Sequence, residues 1–204
     1  MAALRPDWFP DWTGEPSIIL ASGPSAVLEP IPAGVRIIAA NNSWKLAPWA
    51  DALYASDAEW WQSGTGDAFE GLKVSRSDHP GVRKVELRRT RNAWCDDIIM
   101  DPGVIGAGGS SAFQAMNLAL QFGSRRIALA GCDCRLDLGV HWHGPHVNGL
   151  RDPYPGTAEI WRKRFDAVAP QLEALGAEVV NCSPISALAA YPKATLAETL
   201  ALWT

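Results

Sequence analysis

The 204 residues are 48% hydrophobic and 20% charged, a globular balance in a chain long enough for one domain with a full core. A net charge of −4 argues against an extended nucleic-acid surface, which needs clustered Lys and Arg, and no apolar run approaches the roughly 18 residues that span a bilayer. The opening MAALRPDWFPDW lacks the charged-then-apolar order of a signal peptide, so a cytoplasmic protein without a membrane partner is expected, with Cys95, Cys132, Cys134 and Cys182 kept as thiols.

Residues 1–16 combine Pro6, Pro10 and Pro16 with Trp8 and Trp12 and show no periodicity. They predict an irregular arm lying on a single Rossmann-like domain formed by 17–204. Ser17–Ala21 reads as a buried strand, with Ser22, Gly23, Pro24 and Ser25 directly after it. Such a small-residue turn is either plain structure or a place where backbone amides approach a phosphate, with Ser25 capping a short helix. Val35–Ala40 is a second apolar run ending in Asn41, Asn42 and Ser43, and Ala52–Ala55 a third ending in Ser56 and Asp57. Asn, Asp and Ser cap turns and helices for local reasons. Repeated at one strand end after another, they also build a polar crevice where ligands sit in open α/β sheets.

A short helix around Ala58–Gln62 leads to Leu72–Ser75 and Val85–Leu87, which read as further strands or a hairpin. Arg88, Arg89 and Arg91 form either a solvated surface or a clamp for an anion. The tryptophan clusters, Trp8 with Trp12, Trp44 with Trp49 and Trp60 with Trp61, serve either as large caps on the core or as an interface, the second reading implying a homo-oligomer.

The most informative stretch runs from Gly108 to Arg135. Gly109, Ser110 and Ser111 open a helix; Ser111 and Gln114 have the spacing of a capping box, and Gly123 ends the apolar stripe. Ile127–Ala130 then reads as a strand covered on both faces, with Asp133 just past its end. The next connection carries His141, His143 and His146, an unusual density of imidazole in a loop beside a strand edge. Proton transfer or ligand contact fits them, and a metal site from His141, His143 and Asp133 is the lesser alternative. Thr157 is placed to cap a helix that Pro170 kinks or splits, Glu178–Asn181 reads as a last strand, and Ile185–Leu188 and Leu196–Leu202 as short closing helices. Strands alternating with helices along the whole length predict an α/β fold, a mostly parallel sheet covered on both faces.

Taken in order, IILASGPSA, IIAANNSW, GGSSAFQAMNLALQFGSRRIALAGCD, the histidine loop and AEVVNCSPISAL resemble the small one-domain bacterial sialyltransferases and the related 6-hydroxymethylpterin diphosphokinase-like proteins. Proteins of tailed bacteriophages are similar as well. The resemblance covers roughly residues 17–190 and implies a transferase using a nucleotide-activated sugar. Gly23, Pro24, Ser25, Asn41, Ser110 and Ser111 would line the pocket for phosphates and sugar; the strand-end reading adds Ser22, Asn42, Asp57, Gly109 and Asp133 as ligand contacts. His146 would be the general base, with His143 its substitute. Ser22 departs from the family's turn glycine, Gly109-Ser110-Ser111 replaces its Thr-Ser-Gly order, and Tyr154 is the only tyrosine in the loop. Two alternatives stand beside this reading. One is magnesium-dependent pyrophosphoryl or nucleotidyl transfer, with the ion on Asp133 and Asp57. The other is a non-catalytic nucleotide-binding or assembly protein.

Overall fold

The computed structural model describes residues 4–28, 30–146 and 150–204. In chain order the elements are β1 (Ser17–Leu20), β2 (Arg36–Ala40), a 3-10 turn (Asn41–Lys45), β3 (Ala52–Tyr54), α1 (Ala58–Gln62), β4 (Leu72–Ser75), β5 (Arg83–Lys84), β6 (Glu86–Leu87), β7 (Val104–Ile105), α2 (Ser111–Phe122), β8 (Arg126–Ala130), α3 (Pro155–Ala167), α4 (Ala169–Ala174), β9 (Glu178–Asn181) and α5 (Leu196–Trp203).

Seven strands form one wholly parallel sheet in the order β5-β4-β3-β2-β1-β8-β9. The connection after β1 leaves toward β2 and the one after β8 leaves toward β9. These two adjacent strands therefore mark the switch point, where a crevice opens at the carboxyl edge. Side chains alternate across the sheet as a pleat requires. Ile19, Ile38, Tyr54 and Leu129 face a core shared with α2, α3 and α4. Ile18, Leu20, Ile37, Leu53, Ala128 and Val180 face a core shared with α1 and α5. This is the Rossmann-like, mostly parallel α/β architecture that the alternating pattern predicts.

Several local expectations are corrected. Residues 26–28 carry no helix, and the Ser25 hydroxyl that would have capped one is bound to Asp133. The cap of α2 is Ser110, whose hydroxyl accepts from the Phe113 amide. Gln114 does not reach back to the helix start; buried among apolar neighbours, it accepts from the Tyr54 hydroxyl at 2.8 Å and donates to the Ala107 carbonyl at 2.7 Å. The helix α3 starts at Pro155 rather than after Thr157, because a proline at the first helical position brings a preset φ and lacks only an amide that would have had no partner. Of the kink and the split expected at Pro170 the split is found: α3 ends at Ala167 and Pro170 lies in the separate helix α4. Of the strands-or-hairpin alternatives for Leu72–Ser75 and Val85–Leu87 the strands hold: β4 pairs parallel with β3, and β6 pairs parallel with β7. Ile185–Leu188 is not helical; Ser183 and Ser186 there hold the Cys132 amide and carbonyl at 2.9 and 2.7 Å, strapping down the residues after β8.

Residues 4–16 carry no helix or strand. Trp12, Phe9 and Trp8 pack edge-on against Phe122, with ring centroids at 4.8, 5.0 and 6.4 Å. Trp12, Trp60, Trp61 and Trp203 are buried, so these aromatics fill the core and do not form a partner surface; Trp49 and Trp94 are the exposed tryptophans. No helix among the described residues is long and apolar enough to cross a membrane.

Candidate functional site

The carboxyl ends of β1, β2, β3, β4 and β8, the start of α2 and the loop after β8 enclose a cavity of about 630 Å³. Its floor lies at the switch point. There the Gly23 amide donates to the Gly131 carbonyl at 2.9 Å. A Cβ at Gly23 would run into that carbonyl and into the Asp133 carboxylate, so only glycine permits the approach. Asp133 is itself 2% exposed. It accepts the Ser25 amide at 2.8 Å and the Ser25 hydroxyl, tying the turn after β1 to the end of β8.

One wall is the start of α2. Gly109, at φ 75°, turns the chain into the helix, and Gly109, Ser110, Ser111 and Ala112 face the cavity. The Ser111 hydroxyl donates to Asn41 Oδ1 at 3.2 Å and accepts the Ser56 amide at 3.3 Å, gathering the ends of β2 and β3 onto the helix start. Asn41 adopts φ 50°, a left-handed conformation that asparagine tolerates better than most residues. Two guanidinium groups flank this helix end. Arg76 donates to the Ser56 hydroxyl at 2.9 Å and stands 3.7 Å from Asp57, while Arg164 pairs with Asp96 at 2.7 Å. A helix N-terminus between two arginines is a strong anion-binding arrangement.

The opposite wall is the histidine loop. The Trp142 amide donates to the Ser22 carbonyl at 3.1 Å. Trp60 Nε1 donates to Asn42 Oδ1 at 2.9 Å, so Asn42 presents its amide nitrogen to His143 Nε2 at 3.0 Å. That nitrogen of His143 accepts, and its ring carries the proton on Nδ1. His141 and His143 stack with centroids 5.0 Å apart, and His146 lies 4.5 Å from His141. Burial, with repulsion from His146 and His143, pushes the His141 imidazole down to about 4. Burial first, then His146 and Lys45, lowers His143. Two thiols also line the cavity: burial drives Cys132 well up, and burial with the Asp133 charge pushes Cys134 up to about 12.

Of the residues singled out from sequence, Ser22, Gly23, Asn41, Asp57, Gly109, Ser110, Ser111, Asp133 and His146 line the cavity. Pro24, Ser25, Asn42 and His143 do not: Ser25 lines a second cavity of about 430 Å³, and His143 turns toward Asn42. His141, His143 and Asp133 do not gather as metal ligands; the set that does is His141, His146 and Asp152. Arg88, Arg89 and Arg91 stay outside, Arg88 paired with Asp101 and Arg89 lying 4.5 Å over the Trp94 ring. The guanidinium groups that face the cavity are Arg76, Arg135, Arg151 and Arg164. Arg76 follows β4 as Asp57 follows β3, so the strand-end rule applied once more would have found it. Arg164 looks like any charged residue on a helix.

Fold and cavity together define a Rossmann-like α/β protein with a polar, arginine-flanked crevice at its switch point. No known family profile matches the sequence, and no curated protein does. Solved structures do. The MAf glycosyltransferase from Magnetospirillum magneticum AMB-1 superposes with a TM-score of 0.57 at 16% identity, over 99% of this chain and 38% of that one. The sialyltransferase CstII from Campylobacter jejuni, determined in complex with the substrate analogue CMP-3FNeuAc, superposes with a TM-score of 0.53 at 14% identity, over 91% of this chain and 88% of that one. The chain thus has a glycosyltransferase-like, sialyltransferase-like fold and spans well under half the length of the MAf protein.

Proposed function

We propose that the cavity binds a nucleotide-activated sugar and that the protein is a glycosyltransferase. The observation that carries this reading is the start of α2 between Arg76 and Arg164, opening on the same cavity as the loop imidazole of His146. Phosphate groups sit at the helix amides beneath the two guanidinium groups, and the developing charge on the leaving phosphate is stabilised there. His146 takes the proton of the acceptor hydroxyl. The fold shared with a sialyltransferase seen with a CMP-sugar analogue supports the donor class.

The magnesium alternative has less behind it. Asp133 gives both oxygens to Ser25, and Asp57 faces Arg76, so the two carboxylates are turned to partners within the protein.

The test is a calorimetric titration of the chain with CMP, UDP, GDP and their sugar conjugates, then a donor-hydrolysis assay with the tightest ligand. Saturable binding of one nucleotide, with slow release of sugar from its conjugate, is expected. Binding without any donor turnover would favour the non-catalytic reading, and no binding at all would remove the proposal.

A further inference from the structure

Two residues of the cavity wall, His141 and Asp152, are not used by the donor reading, and they stand beside His146, which is. His141, His146 and Asp152 each offer a ligand atom, and these three atoms lie within 4.8 Å of one another. His141 Nε2 is buried with no hydrogen-bond partner. It stands 3.9 Å from Asp152 Oδ1. That gap is too long for a hydrogen bond, yet near the roughly 3.4 Å separating two ligands on one tetrahedral ion with bonds of about 2.1 Å. Asp152 is oriented by the His146 amide, which donates to its Oδ1 at 2.9 Å. The His141 ring is braced by the stacked ring of His143 and by a hydrogen bond to the Ser22 backbone. A buried lone pair without a donor is the kind of group a cation satisfies.

We propose that His141, His146 and Asp152 bind a divalent transition-metal ion, zinc or one of similar size, with the remaining coordination position open to the cavity. Two imidazoles and one carboxylate match that class; magnesium takes oxygen ligands in an octahedron and fits poorly. All three residues line the cavity, so water or a ligand oxygen completes the shell. The inference goes beyond the donor reading, but both depend on His146. An imidazole nitrogen that holds a cation accepts no proton, so the loaded ion stops transfer.

The chain, stripped with chelator and dialysed, is titrated with Zn²⁺ against a chromophoric chelator, and with Co²⁺ monitored by visible absorption. One equivalent is expected to bind, with the intense bands of four-coordinate cobalt. His141→Ala and Asp152→Asn each weaken binding at least tenfold, the lower end of what losing a ligand contact costs. His79→Ala, whose ring packs beside Trp61, leaves it unchanged. Circular dichroism confirms that the variants fold, and Asp152→Asn, at a third-exposed side chain, keeps the test usable if His141→Ala does not fold. No binding by the wild-type chain, or undiminished binding by the folded variants, overturns the proposal. Neither readout involves a nucleotide or a sugar, so the donor reading and the metal site can fail independently.

Discussion

Ser25 gives both its backbone amide and its hydroxyl to the carboxylate of Asp133, 108 positions further along the chain. The contact joins the turns after β1 and β8, the two strands that frame the switch point. A residue that sequence position marks as a ligand contact is therefore a structural pin, and the cavity depends on it for shape. Replacing Asp133 by Asn turns one acceptor into a donor facing the Ser25 amide. The loss of stability is expected to be about 1–3 kcal/mol, the cost of leaving buried donors unpaired. Urea unfolding of Asp133→Asn, Ser25→Ala and the double variant measures it. The double variant should lose less than the sum of the two single losses; strict additivity would mean that the pair does not act as a unit.

The flanking arginines are expected to hold charge rather than fold. Arg76→Gln and Arg164→Gln should each weaken nucleotide binding by roughly 10- to 100-fold, the scale of a charge-assisted hydrogen bond. Affinity of the wild-type chain should also fall as salt rises. Calorimetry at two ionic strengths checks both points. If the variants bind as tightly as the wild type, phosphate is not recognised at the start of α2.

Acid sensitivity has one traceable contribution in the arm. Glu15 accepts from Arg36 at 2.7 and 3.0 Å, and these bonds hold its carboxyl below the ordinary range against the opposing effect of burial. As pH falls through that ordinary range, near 4.3, the unfolded chain takes up the proton before the folded one does. Stability from this pair is therefore complete above about pH 5 and is lost on further acidification. With side chains about a third exposed, the contribution is about 0.5–1 kcal/mol. Glu15→Gln removes the titration, so its denaturation midpoint should fall less than that of the wild type between pH 7 and pH 3.5. Equal falls would remove Glu15 from the account.

Much of the sheet is legible in the sequence because a strand buried on both faces must read as a continuous apolar run. Glu178–Asn181 matches residue for residue, and the expected Ser17–Ala21 overruns β1 by one residue. The start of α2 is legible only to within one position. Ser110 and Ser111 both satisfy the local rule, and only the buried Tyr54 hydroxyl explains why Gln114 points away from the cap. Residues 63–104 show little pattern for a related reason. Asn117 and Gln121, on the flank of α2, hold the Ile99–Val104 segment by side-chain bonds to its backbone, including the Ile99 amide, the Ile99 carbonyl, the Gly103 amide and the Val104 carbonyl. A segment held from outside needs no periodicity of its own. The histidines are visible as a cluster. Asn42, oriented by Trp60, holds His143 away from the cavity that His141 and His146 line.

That last relationship separates the two histidines proposed as the base. His143 spends Nε2 on Asn42 and lies off the cavity, whereas His146 lines it. If His146 receives the acceptor's proton, His146→Ala should lower donor turnover by about 100-fold or more, the ordinary scale of general-base catalysis. Nucleotide affinity should be unchanged, because the proposed phosphate site is on the other wall. His143→Ala removes only a loop contact and should cost less than about tenfold, chiefly by loosening the segment that carries His146. Turnover and nucleotide affinity, measured with chelator present so that no ion competes for the imidazole, distinguish the two. A His143 variant more impaired than the His146 variant would reverse the assignment and require the loop to turn before the reaction.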